Sequence, residues 1–460
     1  MPTLRELSDE VAARRVGAYE LVSESLRRIE KLDPDLGAVV ALRTEEALGE
    51  AKGLDATLSN GAAPGPLAGL PLLVKDMTDV AGMRTTHGSL AFADAPPATA
   101  DALVVTRLRA AGAIVVGKTN LPEFAADGFT SNLLFGTTRN PWNPDRTPGG
   151  SSGGSAVAIA AGMAAIATAT DGGGSIRIPA AYCGLFGLKP TNGVIGRDPI
   201  PDWIDYSTDG PLALRADDLR LLLDVLVGPA PGDPTAALGR PHGDGAIGRV
   251  VAVGHWDPNV ILPSDAAALF EAAAARFGAV FGVEPQSLGS TDVFPRGNPE
   301  DDWITVVAFE HANTFGRAWV DERRNQLSPS GLEFLTYGLR VTPEEYMAAR
   351  RRRFATVRTL DEFLGTNGLL LSPVMASDAI AAEGPAEGMT ENELYVTTLQ
   401  NITGTPAVSL PARAFPSGVP FGLQVTAPRF RDDLLLTIAD RWEEAEGAPP
   451  HPSGYEPFGI

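Results

Sequence analysis

The apolar positions of the chain fall into two textures. Over the first 60 residues they recur at helical spacing, so Leu4–Arg15, Ala18–Leu32 and Thr44–Leu58 read as amphipathic helices. Asp33-Pro34 is expected to end the second, because proline has no N–H to donate, and Ser59-Asn60-Gly61 to end the third. From Leu67 onward, short apolar runs bounded by Gly and Pro alternate with helical segments. Strands are expected at Leu70–Val74, Ala113–Val116 and Ala164–Ala169, with helices over Ala100–Ala111 and Ser155–Met163. That alternation marks an α/β layered fold. Leu219, Leu222, Leu223 and Leu226 lie on one helical face that Gly228-Pro229 closes, Arg249–Val253 predicts a strand, and Ser264 is placed to cap a helix carrying Leu269, Ala273 and Phe277. Helices over Asp302–Asn325 and Pro343–Leu364, strands at Leu369–Ser372, Ala407–Leu410 and Gly422–Val425, and a final helix over Asp432–Ala445 complete the pattern. With no internal repeat and no linker, the expectation is one domain over 1–460, with a helical segment at 1–60 and a least regular, substrate-facing stretch at 281–345.

Composition narrows the function. Of 460 residues, 44% are hydrophobic and 20% charged, as in ordinary globular chains, while 50 glycines and 38 prolines predict many ordered loops. Lys and Arg number 37 against 57 Asp and Glu, and a net charge of −20 argues against direct nucleic-acid binding, which depends on neutralising phosphates. Cys183 is the only cysteine, so an intrachain disulfide and a cysteine-based metal site are excluded and a reducing cytoplasm is expected. Charges at short intervals in Met1–Glu10 leave no room for an export signal, and the longest apolar stretch, Ala156–Thr170, is too short for a bilayer. No membrane partner is expected.

Two motif matches compete for attention. Gly112, Gly117, Lys118 and Thr119 satisfy phosphate-loop spacing, yet the residues between the glycines are Ala113, Ile114, Val115 and Val116, a strand in place of a ligand-wrapping loop. Gly150-Ser151-Ser152-Gly153-Gly154 fits the nucleophile elbow G-x-S-x-G, with Ser152 as nucleophile, but Asn143–Pro148 precedes it where a central strand is required. That reading would also need one of His87, His242, His255, His311 or His451 as base, and none sits in a local signature.

Three further elements remain. Lys75 ends the apolar run Leu70–Val74, a position often at the surface. Gly149–Ser155 leads into an Ala-rich helix and reads as a flexible loop or an anion site. Asp171-Gly172-Gly173-Gly174-Ser175-Ile176-Arg177 follows an apolar strand, and three glycines in a row suit either a plain turn or a backbone that brings N–H groups close to a ligand.

Together these resemble the amidase signature family of serine amidases. Gly149–Ser155 is similar to its Gly/Ser-rich signature, Asp171–Arg177 to its nucleophile loop, and Lys75 in Val74-Lys75-Asp76 to its lysine. Gly136–Pro141, Pro179–Thr191, Asn401–Ala407 and Pro420–Gln424 agree as well, so the likeness is dense over 65–230 and returns after about 365. The resemblance implies an α/β/α fold, a large mixed β-sheet sandwiched between helices. It also implies hydrolysis of a small-molecule carboxylic amide to acid and ammonia or amine, without metal or organic cofactor. By it Ser175 is the nucleophile, Ser151 a bridging serine typically preceded by a cis peptide, and Lys75 the base. Gly172, Gly173 and Gly174, with the Ser175 N–H, would form the oxyanion hole, and Ser152, Asp171 and Arg177 would support the loop. A free lysine titrates at about 10.4, so a base working at roughly 7–8 needs ~4 kcal/mol of preference for the neutral amine, which the apolar Leu70–Val74 run can supply by desolvation. The family often carries Thr or Ser where this chain has Gly172.

Other functions stay open at this point. One is the glutaminase subunit of a tRNA-dependent amidotransferase, which needs a partner chain; another is an esterase using Ser152; a third is an inactive binding protein. A homodimer is compatible with all of them. The run Arg350–Arg353 points around a helix in steps of about 100° and is expected to be a solvated face with scattered ion pairs, one of which could hold a substrate carboxylate.

Overall fold

The computed structural model describes residues 2–237, 246–295, 298–378, 380–385 and 395–459. Most of its strands form the expected mixed sheet flanked by helices, divided by hydrogen bonding into two parts, while Ser131–Asn132 with Gly136–Thr137 and Ala169–Asp171 with Thr208–Gly210 form two separate two-stranded pairs. The larger has seven strands in the order Leu212–Ala213, Phe186–Lys189, Ala407–Ala414, Pro420–Thr426, Leu369–Pro373, Val250–Ala252 and Gln286–Ser287. The first five pair antiparallel and the last three parallel, which makes the sheet mixed. The smaller runs Val39–Leu42, Ile114–Thr119, Pro71–Lys75, Ile166–Ala167 and is parallel except at its first strand. Every residue of Pro71–Lys75 and of Ile114–Thr119 is buried, the continuous burial that parallel strands covered on both faces require.

Helix Arg177–Cys183 packs on strands Phe186–Lys189, Ala407–Ala414 and Pro420–Thr426, while helices Ser264–Phe281 and Asp432–Glu446 also pack on the larger sheet. One apolar core runs through both sheets. A smaller, aromatic-rich core joins Phe124, Trp203 and Tyr206 to helices Trp303–Phe315 and Pro329–Gly338, and it stands beside the candidate site. Among the described residues, no helix is long and apolar enough to cross a membrane.

Several local expectations are corrected. The second helix continues through Pro34 to Leu36, going without the hydrogen bond that the Pro34 nitrogen cannot donate. Gly37, left-handed at φ +60°, ends it, and the Asp33 carboxylate then takes the N–H groups of Ala38 at 2.7 Å and Val39 at 3.1 Å. Ser264 is the first helical residue and does not cap. The helix expected over Asp302–Asn325 breaks at Gly316, whose φ of +80° and ψ of 160° split it into Trp303–Phe315 and Arg317–Arg323. Strand Val39–Leu42 was not anticipated. It is a half-exposed edge strand whose four residues lack a clean apolar alternation.

Candidate active site

Lys75 is the last residue of strand Pro71–Lys75, and its side chain is fully buried. Its Nζ lies 2.8 Å from Ser151 Oγ, 2.9 Å from Ser152 Oγ and 2.9 Å from Thr170 Oγ1. Burial drives its pKa down from 10.5 to about 7, against the opposing charges of Asp171 and Asp209. The hydroxyls around it are themselves directed. Ser152 Oγ donates to the Thr170 carbonyl at 3.4 Å, and Thr170 Oγ1 donates to Met77 Sδ at 3.3 Å. Both therefore accept from Nζ. A neutral amine has two N–H groups and one lone pair, so with Ser152 and Thr170 taking the N–H groups the lone pair is left for the Ser151 hydroxyl.

Ser151 and Ser152 enter helix Gly153–Ala160, which is buried along its whole length. The Gly150–Ser151 peptide is cis. Ser175 is half-buried in the loop after strand Ala169–Asp171. The Ser152 N–H donates to the Ser175 carbonyl at 3.3 Å and ties the two serine segments together. Ser151 and Ser175 line one cavity of about 400 Å³, walled by Met77, Phe92, Phe124, Trp203 and Phe315. A second cavity of about 350 Å³ opens from the other side of Ser175, against Asp127, Glu300, Trp303 and Tyr395.

The glycine loop is oriented by its carbonyls. In a trans peptide the C=O and the following N–H point in opposite directions. The Asp171 carbonyl accepts from Asn401 Nδ2 at 2.9 Å, that of Gly172 from Trp303 Nε1 at 2.9 Å, and that of Gly174 from the Ile178 N–H at 2.7 Å. The N–H groups of Gly172, Gly173 and Ser175 are thereby turned away from these partners. Gly174 differs and corrects the expectation that all four amides are available. Its N–H donates to Asp171 Oδ1 at 2.8 Å, and the Gly173 carbonyl accepts from Thr397 Oγ1 at 2.6 Å, so that peptide is occupied on both sides. Gly174 sits at φ +133°, where an added Cβ would meet Thr397 Oγ1 at 2.2 Å. Gly172 has a different reason to be glycine. A Cβ there would come within 2.4 Å of the Trp203 ring, which occupies the space a Thr or Ser would need.

Asp171 and Arg177 form a fully buried bidentate pair, with Nε to Oδ2 at 2.9 Å and Nη2 to Oδ1 at 2.8 Å. Burial alone would raise the Asp171 pKa, but the guanidinium holds it down at about 2. Arg177 also reaches Gln400 Oε1 at 3.0 Å, Asn401 Oδ1 at 2.7 Å and Gln424 Oε1 at 2.6 Å. The sequence brought forward Lys75, Ser151, Ser152, Asp171, Ser175 and Arg177; the fold puts Lys75 in hydrogen-bond contact with Ser151 and Ser152, pairs Asp171 with Arg177, and links Ser175 to the others through the Ser152 backbone and the shared cavity. It did not bring forward Thr170, Thr397 or Trp303. Thr170 had a signal: side chains alternate along a strand, so Thr170 faces opposite to Asp171. Trp303 and Thr397 had none, being more than a hundred residues from the loop they hold.

The competing motifs are accounted for. Gly112–Thr119 leads into a buried strand, and Lys118 Nζ is spent on Asp76 Oδ1 at 3.1 Å and Thr85 Oγ1 at 2.9 Å. Ser152 is fully buried against Lys75 and follows a turn-rich segment, so an esterase built on its hydroxyl has no access to substrate. Arg350 and Arg353 pair with Asp205 and Arg352 with Asp302, and Arg353 Nε also donates to the Ile402 carbonyl at 2.6 Å. Among the described residues no group of three His, Cys, Asp or Glu is arranged to hold a metal ion.

Comparison with known proteins gives a consistent result. A family model described as Amidase matches residues 20–259 and 307–436. An acylamidase of Rhodococcus erythropolis is 32% identical over 95% of this chain and 94% of its own. A putative amidase, AmiB2, of Mycobacterium tuberculosis is 36% identical over 92% of both chains. Among solved structures, a bacterial aryl acylamidase of the amidase signature family superposes with a TM-score of 0.88 at 25% identity, covering 97% of this chain and 96% of that one.

Proposed function

The chain belongs to the amidase signature family and hydrolyses carboxylic amides, and from that premise we propose that it does so through Lys75, Ser151 and Ser175 with an acyl-enzyme on Ser175. The observation that carries this reading is the 2.8 Å contact between a buried, readily neutral Lys75 Nζ and Ser151 Oγ. Lys75 takes the proton of Ser151 as Ser151 takes that of Ser175, and the Ser175 oxygen attacks the amide carbonyl. Negative charge on the carbonyl oxygen is met by the N–H groups of Gly172, Gly173 and Ser175. Collapse of the intermediate breaks the C–N bond, and Ser151 returns a proton to the departing nitrogen. Water then attacks the ester on Ser175, losing its proton through Ser151 to Lys75, and the proton returns by the same route to the Ser175 oxygen as the acid leaves. Asp171 and Arg177 position the loop and do not touch substrate.

The 400 Å³ cavity beside Ser151 and Ser175 has an aromatic and apolar part formed by Met77, Phe92, Phe124, Trp203 and Phe315, and it is also lined by Asp79, Arg197, Asp198, Asp202 and Asp209. The aromatic part suits an amide with an apolar arm, and Arg197 is already paired with Asp233, which favours a free-standing amidase over a glutaminase subunit that must hold the charged end of glutamine. We assign the substrate-facing walls in part to the 281–345 stretch, since Trp303, Ile304, His311 and Phe315 reach the two cavities. The single buried Cys183 suits a cytoplasmic protein.

A fluorophosphonate probe followed by peptide mass spectrometry tests the mechanism. Label is expected on Ser175 and lost in Ser175→Ala. Label on Ser152, or label that persists in Ser175→Ala, refutes it.

A further inference from the structure

Two imidazoles, His87 and His311, stand among the aromatic rings that line the cavity, and neither is used by the reaction. His311, on helix Trp303–Phe315, is 7% exposed and lines the same cavity as Ser175. Its ring stands 5.2 Å from Phe124, 5.2 Å from Phe315, 5.7 Å from Phe334 and 6.5 Å from Trp203, centroid to centroid. Nδ1 lies 3.0 Å from Asp202 Oδ2, and Thr314 Oγ1 donates to Asp202 Oδ1 at 3.2 Å, which fixes the carboxylate beside the ring. Neither ring nitrogen completes a hydrogen bond among the described residues; Nδ1 faces the Asp202 carboxylate as an ion-pair neighbour only, and Nε2 has no polar neighbour of that kind.

A carboxylate facing Nδ1 favours the tautomer with its proton there and leaves the lone pair on Nε2. A buried acceptor without a partner, set among aromatic rings in a cavity that reaches the nucleophile, is a recognition point that substrate can complete. We propose that His311 is a specificity-determining residue, its Nε2 accepting a hydrogen bond from a hydroxyl or N–H group on the aromatic arm of the amide. This rests on the amidase reading and deepens it: the preferred substrates are hydroxyaryl or aminoaryl amides, with Asp202 as the positioning residue that sets the polarity of the imidazole.

The test compares kcat/KM for 3- and 4-hydroxyphenylacetamide with the methyl analogues of equal shape, and repeats the comparison with hydroxy- and methylacetanilides so that either arm of the amide is sampled. One net hydrogen bond predicts about a tenfold preference for hydroxyl over methyl in at least one series. His311→Phe is expected to bring that preference to about one, and fluorophosphonate labelling of Ser175 in the variant keeps the amide-hydrolysing machinery separate from the outcome. Asp202→Asn retains the ring and lets the proton move to Nε2. There the hydroxyl preference should shrink while methoxy analogues, which only accept, gain. A wild-type enzyme without hydroxyl preference in either series, a preference that survives His311→Phe, or loss of all turnover in both variants overturns the proposal.

Discussion

The proposed base makes a quantitative demand on pH dependence. Lys75 works only when neutral, and burial sets its titration at about 7 in place of 10.5. That displacement corresponds to roughly 5 kcal/mol in favour of the neutral amine. At a midpoint of about 7, about 1% of the enzyme carries a neutral lysine at pH 5, about 10% at pH 6 and about 90% at pH 8. The value of kcat/KM should therefore climb tenfold per pH unit at low pH, level off above about 8, and gain close to two orders of magnitude between pH 5 and pH 8. The assay is initial-rate release of acid from a neutral primary amide across pH 5 to 9.5, with a circular dichroism control that the fold persists at each pH. A neutral substrate is required, since its own ionisation would add a second limb. Lys75→Arg is the companion perturbation. Guanidinium is charged at every pH tested, so the variant should lose at least a thousandfold in rate and its residual activity should lack the limb. A flat wild-type profile from pH 5 to 9, or the same limb in the arginine variant, would show that another group carries the proton.

The remaining predictions concern the loop. Gly172→Ser places a Cβ 2.4 Å from the Trp203 ring, so the ring must shift; the expected loss is about 1–3 kcal/mol in urea unfolding, with tenfold or more lost from kcat/KM for aromatic amides. Unchanged stability would mean that the ring yields freely. Asp171→Asn leaves the buried Arg177 guanidinium without its counter-charge and should cost about 3–5 kcal/mol by the same measurement. Because the folded Asp171 titrates at about 2, below its ordinary 3.8, its contribution is fully present above about pH 4 and is lost as pH falls towards 2. Acid unfolding of the wild type should carry that component, and Asp171→Asn should lack it.

How much of this was legible in the sequence varies with distance along the chain. The strand ending in Lys75, the small-residue entry to helix Gly153–Ala160 and the loop from Asp171 to Arg177 are local patterns, and local patterns are what a sequence displays. The α/β layering was legible from the alternation of apolar runs for the same reason. The clamps on the loop were not. Trp303 and Thr397 reach Gly172 and Gly173 across 131 and 224 residues, and a tryptophan in a helix reads as core packing whichever carbonyl its N–H meets. Gly174 appeared equivalent to its neighbours because nothing in three identical residues reveals which amide will be claimed by Asp171. The continuation of a helix through Pro34 was hidden by a real rule outweighed by a stronger stop signal at Gly37.

The guanidinium of Arg177 binds Gln400, Asn401 and Gln424, side chains that leave the ribosome more than two hundred residues after it. A nascent chain therefore holds the Asp171–Arg177 segment without these three anchors until strand Pro420–Thr426 has been made.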